Sequence, residues 1–382
     1  MARSPEPFTL TQPNINHVDV ISWVDLRAES RENWESIRKG RLDYRPPFFS
    51  TAFCDTVHAA RGDVCVAVLR CDNQELGYLP FHQIGRIAVP AGRYFNDAHN
   101  VILKPEANFD WLWILQQCEL KSYDFHALVP LQGSEGDCEA HDTNDSISQF
   151  AQGITKSFSA EIGRDSTAFL KQLEKNHKTM RKQEQKSRKL AREVGPLTLE
   201  FDCRNPEMLR QTIRWKRQQY RRTNILDLFT PDWTRSMLEN LHSRSGLETR
   251  GILSVLRAGD EVVAAHYGMI ENDLLHYWFP TYNVDYSRYS PGTALFKEIV
   301  RASSEHGIRC IDMGYGEQPY KRKQTDTITT VSYGCISKSR MYCQWKRVAK
   351  ATHGALKKAP MKKQLKQVLR MIRPNAGISK LK

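Results

Sequence analysis

No stretch of this sequence approaches the roughly 20 consecutive apolar residues that a membrane-spanning helix needs. The longest clean apolar runs are short, such as Val64–Leu69, VCVAVL. The opening MARSPEPFTLTQPN has no apolar core, so no secretory signal is expected there. None of the nine cysteines (Cys54, Cys65, Cys71, Cys118, Cys138, Cys203, Cys310, Cys335, Cys343) forms a CxxC pair, which leaves a zinc site without support. Several lie in apolar strand-like runs, where a free thiol packs as a small hydrophobe, and a reducing cytoplasm is the expected compartment. Acidic residues are missing from 338 onward, a segment that carries fourteen Lys/Arg. The net charge of +13 therefore belongs to the tail: 13 − 14 leaves the first 337 residues at −1. A body so close to neutral is not a nucleic-acid binder on charge alone.

What is present is enough for sizeable cores: 40% hydrophobic and 10% aromatic residues in 382, with two domains expected from length. Val64–Leu69, a turn at Asp72-Asn73 and ELGYLPF read as a β-hairpin. The device recurs as ILSVLR, AGDE and VVAAHYGMI, with VLR repeated at an offset of 187 residues (Val68 to Val255). Two related halves follow from that repeat. The second half predicts a helix over 169–193, a strand over 197–201, and helices over 206–220 and 231–243 with proline near each start. The second hairpin comes next, then an aromatic strand over 274–282, a polar loop to Ser290-Pro291-Gly292 and a helix over 293–306. Strands over 308–314 and 327–337 close the half. A strand, loop, helix and strand with a glycine at the helix start is an anion-binding arrangement, because free N–H groups and the helix dipole face the loop. The stretch 311–323, IDMGYGEQPYKRK, then places Tyr320 and Lys321 just beyond a buried strand, where scaffolds hold chemistry.

These residues resemble a known family. RAGDEVVAAHYG, YWFPTYNVDYSRYSPGTALFKEIV and IDMGYGEQPYKRK are similar to GNAT-type acetyltransferases of the CelD-like cellulose- and exopolysaccharide-biosynthesis group, relatives of the FemAB-type transferases. The matching features are Ala264-Ala265, Tyr277, Tyr282, Ser290-Pro291-Gly292, Asp312, Gly316 and Tyr320-Lys321, with the basic helix NHKTMRKQEQKSRKL over 176–190. The likeness is good over 155–340 and looser over 18–130. It implies tandem GNAT-like α/β domains with mixed, mainly antiparallel sheets: a degenerate one over 1–150, a working one over 151–340, then a basic tail over 341–382. Many GNAT enzymes carry Q/R-x-x-G-x-G/A where this chain has YSRYSPG, with one glycine. The first half has no Ser-Pro-Gly, so donor binding is expected in the second.

The resemblance implies an acyl-CoA co-substrate, acetyl-CoA or a longer one, and no metal. Arg288, Ser290, Gly292, Thr293 and Tyr282 are the expected donor-binding residues. Tyr320, Lys321, Asp312 and His266 are the catalytic candidates. Tyrosine can protonate a leaving thiolate, and lysine does so if burial lowers its pKa. Asp312 is read either as a base or as a turn anchor, and His266 as a base or a packed strand histidine. The helix with nine Lys/Arg over 171–193 lines a groove, binds RNA or is simply a solvated face. The expected activity is N- or O-acyl transfer to a sugar or surface-polysaccharide precursor, with nucleic acid not expected as a partner. The alternatives are a FemAB-like transferase using aminoacyl-tRNA, or a non-catalytic accessory of a polysaccharide synthase. In the tail, Leu365, Val368, Leu369 and Ile372 fall at helical spacing among lysines, interrupted by Pro360. This suits an anionic membrane surface at the cytoplasmic face, an acidic partner or a solubilising tail.

Overall fold

The computed structural model describes residues 15–131, 149–246 and 249–358. The first half runs β1 (His17–Ser22), α1 (Ala28–Arg38), α2 (Thr51–Arg61), β2 (Val64–Cys71), β3 (Gln74–Ile84), β4 (Ile87–Pro90), a short β5 (Ile102–Leu103), α3 (Trp111–Gln117) and β6 (Ser122–Leu128). Then come β7 (Ala151–Glu161), α4 (Ser166–Asn176), α5 (Lys178–Glu193), β8 (Leu197–Glu200), α6 (Pro206–Thr223) and α7 (Asp232–Ser243). The chain continues with β9 (Arg250–Ala258), β10 (Glu261–Glu271), β11 (Leu274–Tyr282), α8 (Pro291–Ser303), β12 (Cys310–Tyr315), α9 (Lys321–Gln324), β13 (Thr327–Ile336) and α10 (Arg340–Lys358).

All thirteen strands join one mixed sheet in the order β1-β2-β3-β4-β6-β13-β7-β12-β11-β10-β9-β8, with β5 on β3. From each edge inward the pattern is the same. Four strands pair antiparallel, and the fourth pairs parallel with the fifth: β4 with β6, and β11 with β12. The two hairpins that share VLR are β2–β3 and β9–β10, which hold equivalent places in the two halves. The centre of the sheet departs from a simple tandem. β7 follows the first half in sequence but pairs with β12, and β13 follows the second half but pairs with β6. β7 and β13 then pair with each other, so β13 crosses from the second half to the first and joins the two at the centre of the sheet.

Local signals explain most element boundaries. Asp165 and Asn205 cap α4 and α6 with their side chains, and Pro206 sits in the first turn of α6, where its missing N–H costs nothing. The single helix expected over 169–193 is two helices, because His177 takes an extended conformation (φ −130°, ψ 110°) between them. The polar loop before Ser290 contains a 3-10 turn, Val284–Tyr289. One core is shared by both halves: Trp34, Phe48 and Phe53 pack with Tyr267, Trp278 and Phe279. A second lies under α8, with Phe158, Leu190, Phe296 and Ile311. Each such side chain contributes about 1.5–3 kcal/mol on burial, so the halves hold one another in place. The buried Arg38 of α1 pairs with Glu271 of β10 at 3.0 Å across that junction. The tail segment 359–382, with the helical spacing read in its sequence, lies outside the described residues, as does Cys138. The other eight cysteines are free. No helix among the described residues is long and apolar enough to cross a membrane.

Candidate active site

The site begins where a strand pair comes apart. β11 and β12 register only at Leu274–Cys310, Leu275–Ile311 and His276–Asp312, yet β11 runs on to Tyr282 and β12 to Tyr315. Beyond His276 and Asp312 the two strands have parted. A cavity of about 270 Å³ is lined there by Tyr277, Pro280 and Tyr282 of β11, Lys216 and Gln219 of α6, Ser290, Gly292 and Thr293 at the start of α8, and Tyr320 and Gln324 of the α9 turn. Four of the five expected donor residues (Tyr282, Ser290, Gly292, Thr293) and one catalytic candidate, Tyr320, thus meet in one place.

The start of α8 has an open N–H beside a lysine ammonium. Ser290 adopts a left-handed conformation (φ 54°) and its hydroxyl makes no capping bond. That oxygen instead accepts from Lys186 Nζ of α5 at 2.7 Å; Pro291 has no N–H and Thr293 N donates to Ser290 O at 3.0 Å, which leaves the Gly292 N–H as the open donor of the first turn. Gln183 of α5 donates to Tyr289 O at 3.0 Å and fixes the loop from beneath. A Cβ on Gly292 would meet only the Tyr282 ring, at 3.7 Å, so a side chain there fits the fold and projects toward the cavity's tyrosine wall.

Other expected residues lie outside this cavity. Arg288 is not in its lining: its side chain is 70% exposed and bonds Glu193 at 3.1 Å and the Tyr289 hydroxyl. Lys186, outside the lining too, is the cation that touches the start of α8, through the Ser290 hydroxyl. Lys321 is buried, and its ammonium donates to Gly314 O at 3.1 Å and Tyr315 O at 2.7 Å, tying α9 to the end of β12. Burial depresses its pKa, with Asp97 and Asp312 opposing. His266 is fully buried behind Tyr277, its ring stacked at 4.0 Å and 8°. Burial, with the charges of His276 and Lys216, pushes it well below the ordinary histidine range, so it is neutral.

Asp312 belongs to a node that the sequence does not announce. Its Oδ2 lies 2.8 Å from His276 Nδ1, and its Oδ1 accepts from Gly314 N at 2.9 Å. His276 Nε2 lies 3.4 Å from Asp97 Oδ2, contributed by the first half. Burial alone would lower His276, but the two carboxylates outweigh it and raise it to about 9. Burial pushes Asp312 up, and the His276 charge outweighs that and holds it below the usual carboxylate range. Gly314 has φ +66°, and a Cβ there would fall 2.5 Å from Asp97 Oδ2, so glycine is required twice over. Asp97 and Asp312 also line a second cavity of about 720 Å³ between the halves, together with Ser157, Ser159, Thr327 and Thr329.

Lys216 is the other residue missed. It is 9% exposed, its ammonium donates to Pro280 O at 2.9 Å, and burial, with the nearby charge of Lys321, brings its pKa down to about 8. A pattern signal existed: Leu209, Ile213, Lys216 and Tyr220 are buried at helical spacing, and a lysine on an apolar stripe is out of place. Tyr320 is 37% exposed, and burial and the Asp97 carboxylate keep its phenol protonated well above neutral pH. No group of three or more possible metal ligands occurs among the described residues.

This arrangement agrees with comparisons to known proteins. Residues 177–322 match the acetyltransferase (GNAT) domain family. Among solved structures the chain resembles FemX, with a TM-score of 0.56, 10% identity, 83% of this chain covered and 98% of that one. It also aligns with the C-terminal domain of a putative lysylphosphatidylglycerol synthetase from Agrobacterium fabrum (TM-score 0.49, 14% identity, 85% and 96% covered). A tandem GNAT protein from the clavulanic acid biosynthesis pathway aligns at TM-score 0.48 and 9% identity, with 85% and 99% covered. No curated protein sequence matches the chain significantly. Residues 177–322 thus carry the match to an acetyltransferase (GNAT) domain within a mixed α/β fold, which supports an acyltransferase.

Proposed function

We propose that the chain transfers an acyl group from an acyl-CoA to a hydroxyl or amine of a sugar or surface-polysaccharide precursor. The observation that carries this reading is the parted strand pair beside a helix start whose cap hydroxyl is engaged by Lys186. The Gly292 N–H at a helix start and the Lys186 ammonium suit a phosphate of the donor. The reaction breaks the thioester C–S bond and forms a C–O or C–N bond, while a proton leaves the acceptor and one reaches the sulfur. Tyr320, protonated and in the cavity lining, is the donor to sulfur. Lys216 supplies a cation for charge that develops on the carbonyl oxygen. Asp97 is the acceptor's proton sink: it lines the larger cavity and its charge acts on Tyr320. The hydroxyls and carboxylates of that cavity suit a polyhydroxylated acceptor.

Calorimetric titration of CoA and acyl-CoAs into the wild type and Gly292→Val tests the donor. The space around Gly292 predicts a folded variant that no longer binds CoA. Equal affinity in both proteins would remove the loop from the site. A second reading rests on the cations of α5 that are exposed near this loop, including Lys182, Arg188 and Lys189: an acyl donor carried on RNA. Binding of aminoacyl-tRNA with none of CoA would favour it.

A further inference from the structure

Helix α10 lies on the first half with one side engaged. The Tyr342 hydroxyl donates to both oxygens of Asp124 on β6, at 3.2 and 3.1 Å, and the Lys346 ammonium pairs with the same buried carboxylate. Gln152 donates to Cys343 O at 3.2 Å. The other side exposes large apolar groups: Met341 is 82% exposed, Val348 61% and Trp345 55%, its ring 6.2 Å from Tyr342 and 5.9 Å from the Lys346 ammonium. Positions i, i+4 and i+7 form one stripe along a helix. Arg340 and Arg347 are exposed beside it. The 24 residues that follow the described chain hold seven Lys/Arg and no Asp or Glu.

A stripe of methionine, tryptophan and valine inside a purely cationic segment needs a partner that is both apolar and anionic. Nucleic acid supplies phosphates but no apolar phase for Met341 and Val348. An anionic bilayer supplies both, with tryptophan at the headgroup level. Beside the start of α10 lies a cavity of about 550 Å³ lined by three cations, Arg86, Lys121 and Lys338, against one acid, Glu119, together with Leu112 and Leu115. We propose that this face of the protein docks on an anionic membrane surface, with the Met341–Trp345–Val348 stripe entering the headgroup–acyl boundary and the cavity seating one anionic headgroup. Docking is independent of the transfer chemistry, since none of these residues lines the parted-strand cavity or the one between the halves.

The test is co-sedimentation of the full chain with phosphatidylcholine vesicles, with and without phosphatidylglycerol. The wild type binds only the anionic vesicles. Trp345→Glu loses most of that binding, Arg340→Ala/Arg347→Ala weakens it by roughly fivefold per arginine removed, and Arg86→Ala/Lys121→Ala reduces the preference for the anionic lipid. Melting temperatures stay at the wild-type value, because the stripe is exposed. Equal sedimentation of wild type and Trp345→Glu would overturn the proposal. So would a lower melting temperature in Trp345→Glu, which would mean that the chain's own segments cover the stripe. A dimeric wild type with a monomeric Trp345→Glu would assign the face to a second copy, and binding of RNA in preference to vesicles would assign it to nucleic acid.

Discussion

Replacing Lys216 by methionine should make the protein more stable and less active, and the stability difference should depend on pH in a defined direction. The ammonium of Lys216 is buried with a backbone carbonyl as its hydrogen-bond partner, and its pKa falls from the ordinary lysine value to about 8. The unfolded chain therefore binds this proton more tightly than the folded one. Between about pH 8 and 10.5 the unfolded state holds more protons, so stability rises with pH across that window. Below it the full penalty applies, about 3 kcal/mol from the shift at 1.36 kcal/mol per unit. Methionine removes the penalty but leaves Pro280 O without its donor, a cost of about 1–3 kcal/mol. The net change at pH 7 is thus near zero to about 2 kcal/mol in favour of the variant. The slope is the sharper quantity. On going from pH 7 to 9.5 the wild type should gain about 2 kcal/mol on Lys216→Met, since other titrations cancel in the difference. Urea unfolding of both proteins at the two pH values measures it. Turnover of the wild type should fall above pH 8 as the cation is lost, and Lys216→Met should show a low, flat profile. A stability difference that does not move with pH would refute the depressed lysine and, with it, the role of its charge.

Tyr320→Phe removes one hydroxyl from the cavity wall and should keep the fold while losing on the order of 10²-fold in rate, because a single positioned proton donor is worth that much; unchanged turnover would return Tyr320 to a packing role. Asp312→Asn should change the alkaline limb of stability: the pKa of His276, raised to about 9, gives stability that is fully present below the unfolded value near 6.5 and is lost as pH rises through 9. Unfolding curves at pH 6 and pH 9 should therefore converge for wild type and variant at the higher pH, and a gap that persists would rule out the charged His276–Asp312 pair.

The sequence showed the scaffold of the second half more fully than its chemistry, and the reason lies in the distance over which each is encoded. The β9–β10 hairpin, the aromatic β11 and the Pro291 helix start are written in contiguous residues, through alternation, turn chemistry and capping, so local reading reaches them. The shared VLR likewise pointed to two halves, and the sheet repeats the same strand order from both edges. The pairing of β13 with β6 and β7 could not be read this way. Pairing Thr330 with Lys156, or Cys335 with Asp124, is a long-range choice that neither strand's pattern specifies. The site fails at the same point. Ser290, Gly292 and Tyr320 sit on local motifs and share one cavity. Arg288 sits on the same motif, but a salt bridge to Glu193, 95 residues away, holds it at the surface.

Asp97 shows the limit most clearly. It lies in the loop NDAHN, which carries no catalytic pattern, and it reaches the second half's site only because the halves share a core. Its carboxylate stands against Gly314 and His276, and these three residues come from segments 179 and 38 residues apart (97 to 276 to 314). The first half, which has no Ser-Pro-Gly helix start, still places a carboxylate beside His276 and Gly314 of the second. The crossing of β13 to the first half explains how the two halves are joined. β7 and β13 lock the two parallel strand pairs into one sheet, so Asp97 cannot drift from Asp312 without breaking the centre of the sheet. The first half therefore contributes Asp97 to the lining of the candidate site, although no local signal in its sequence says so.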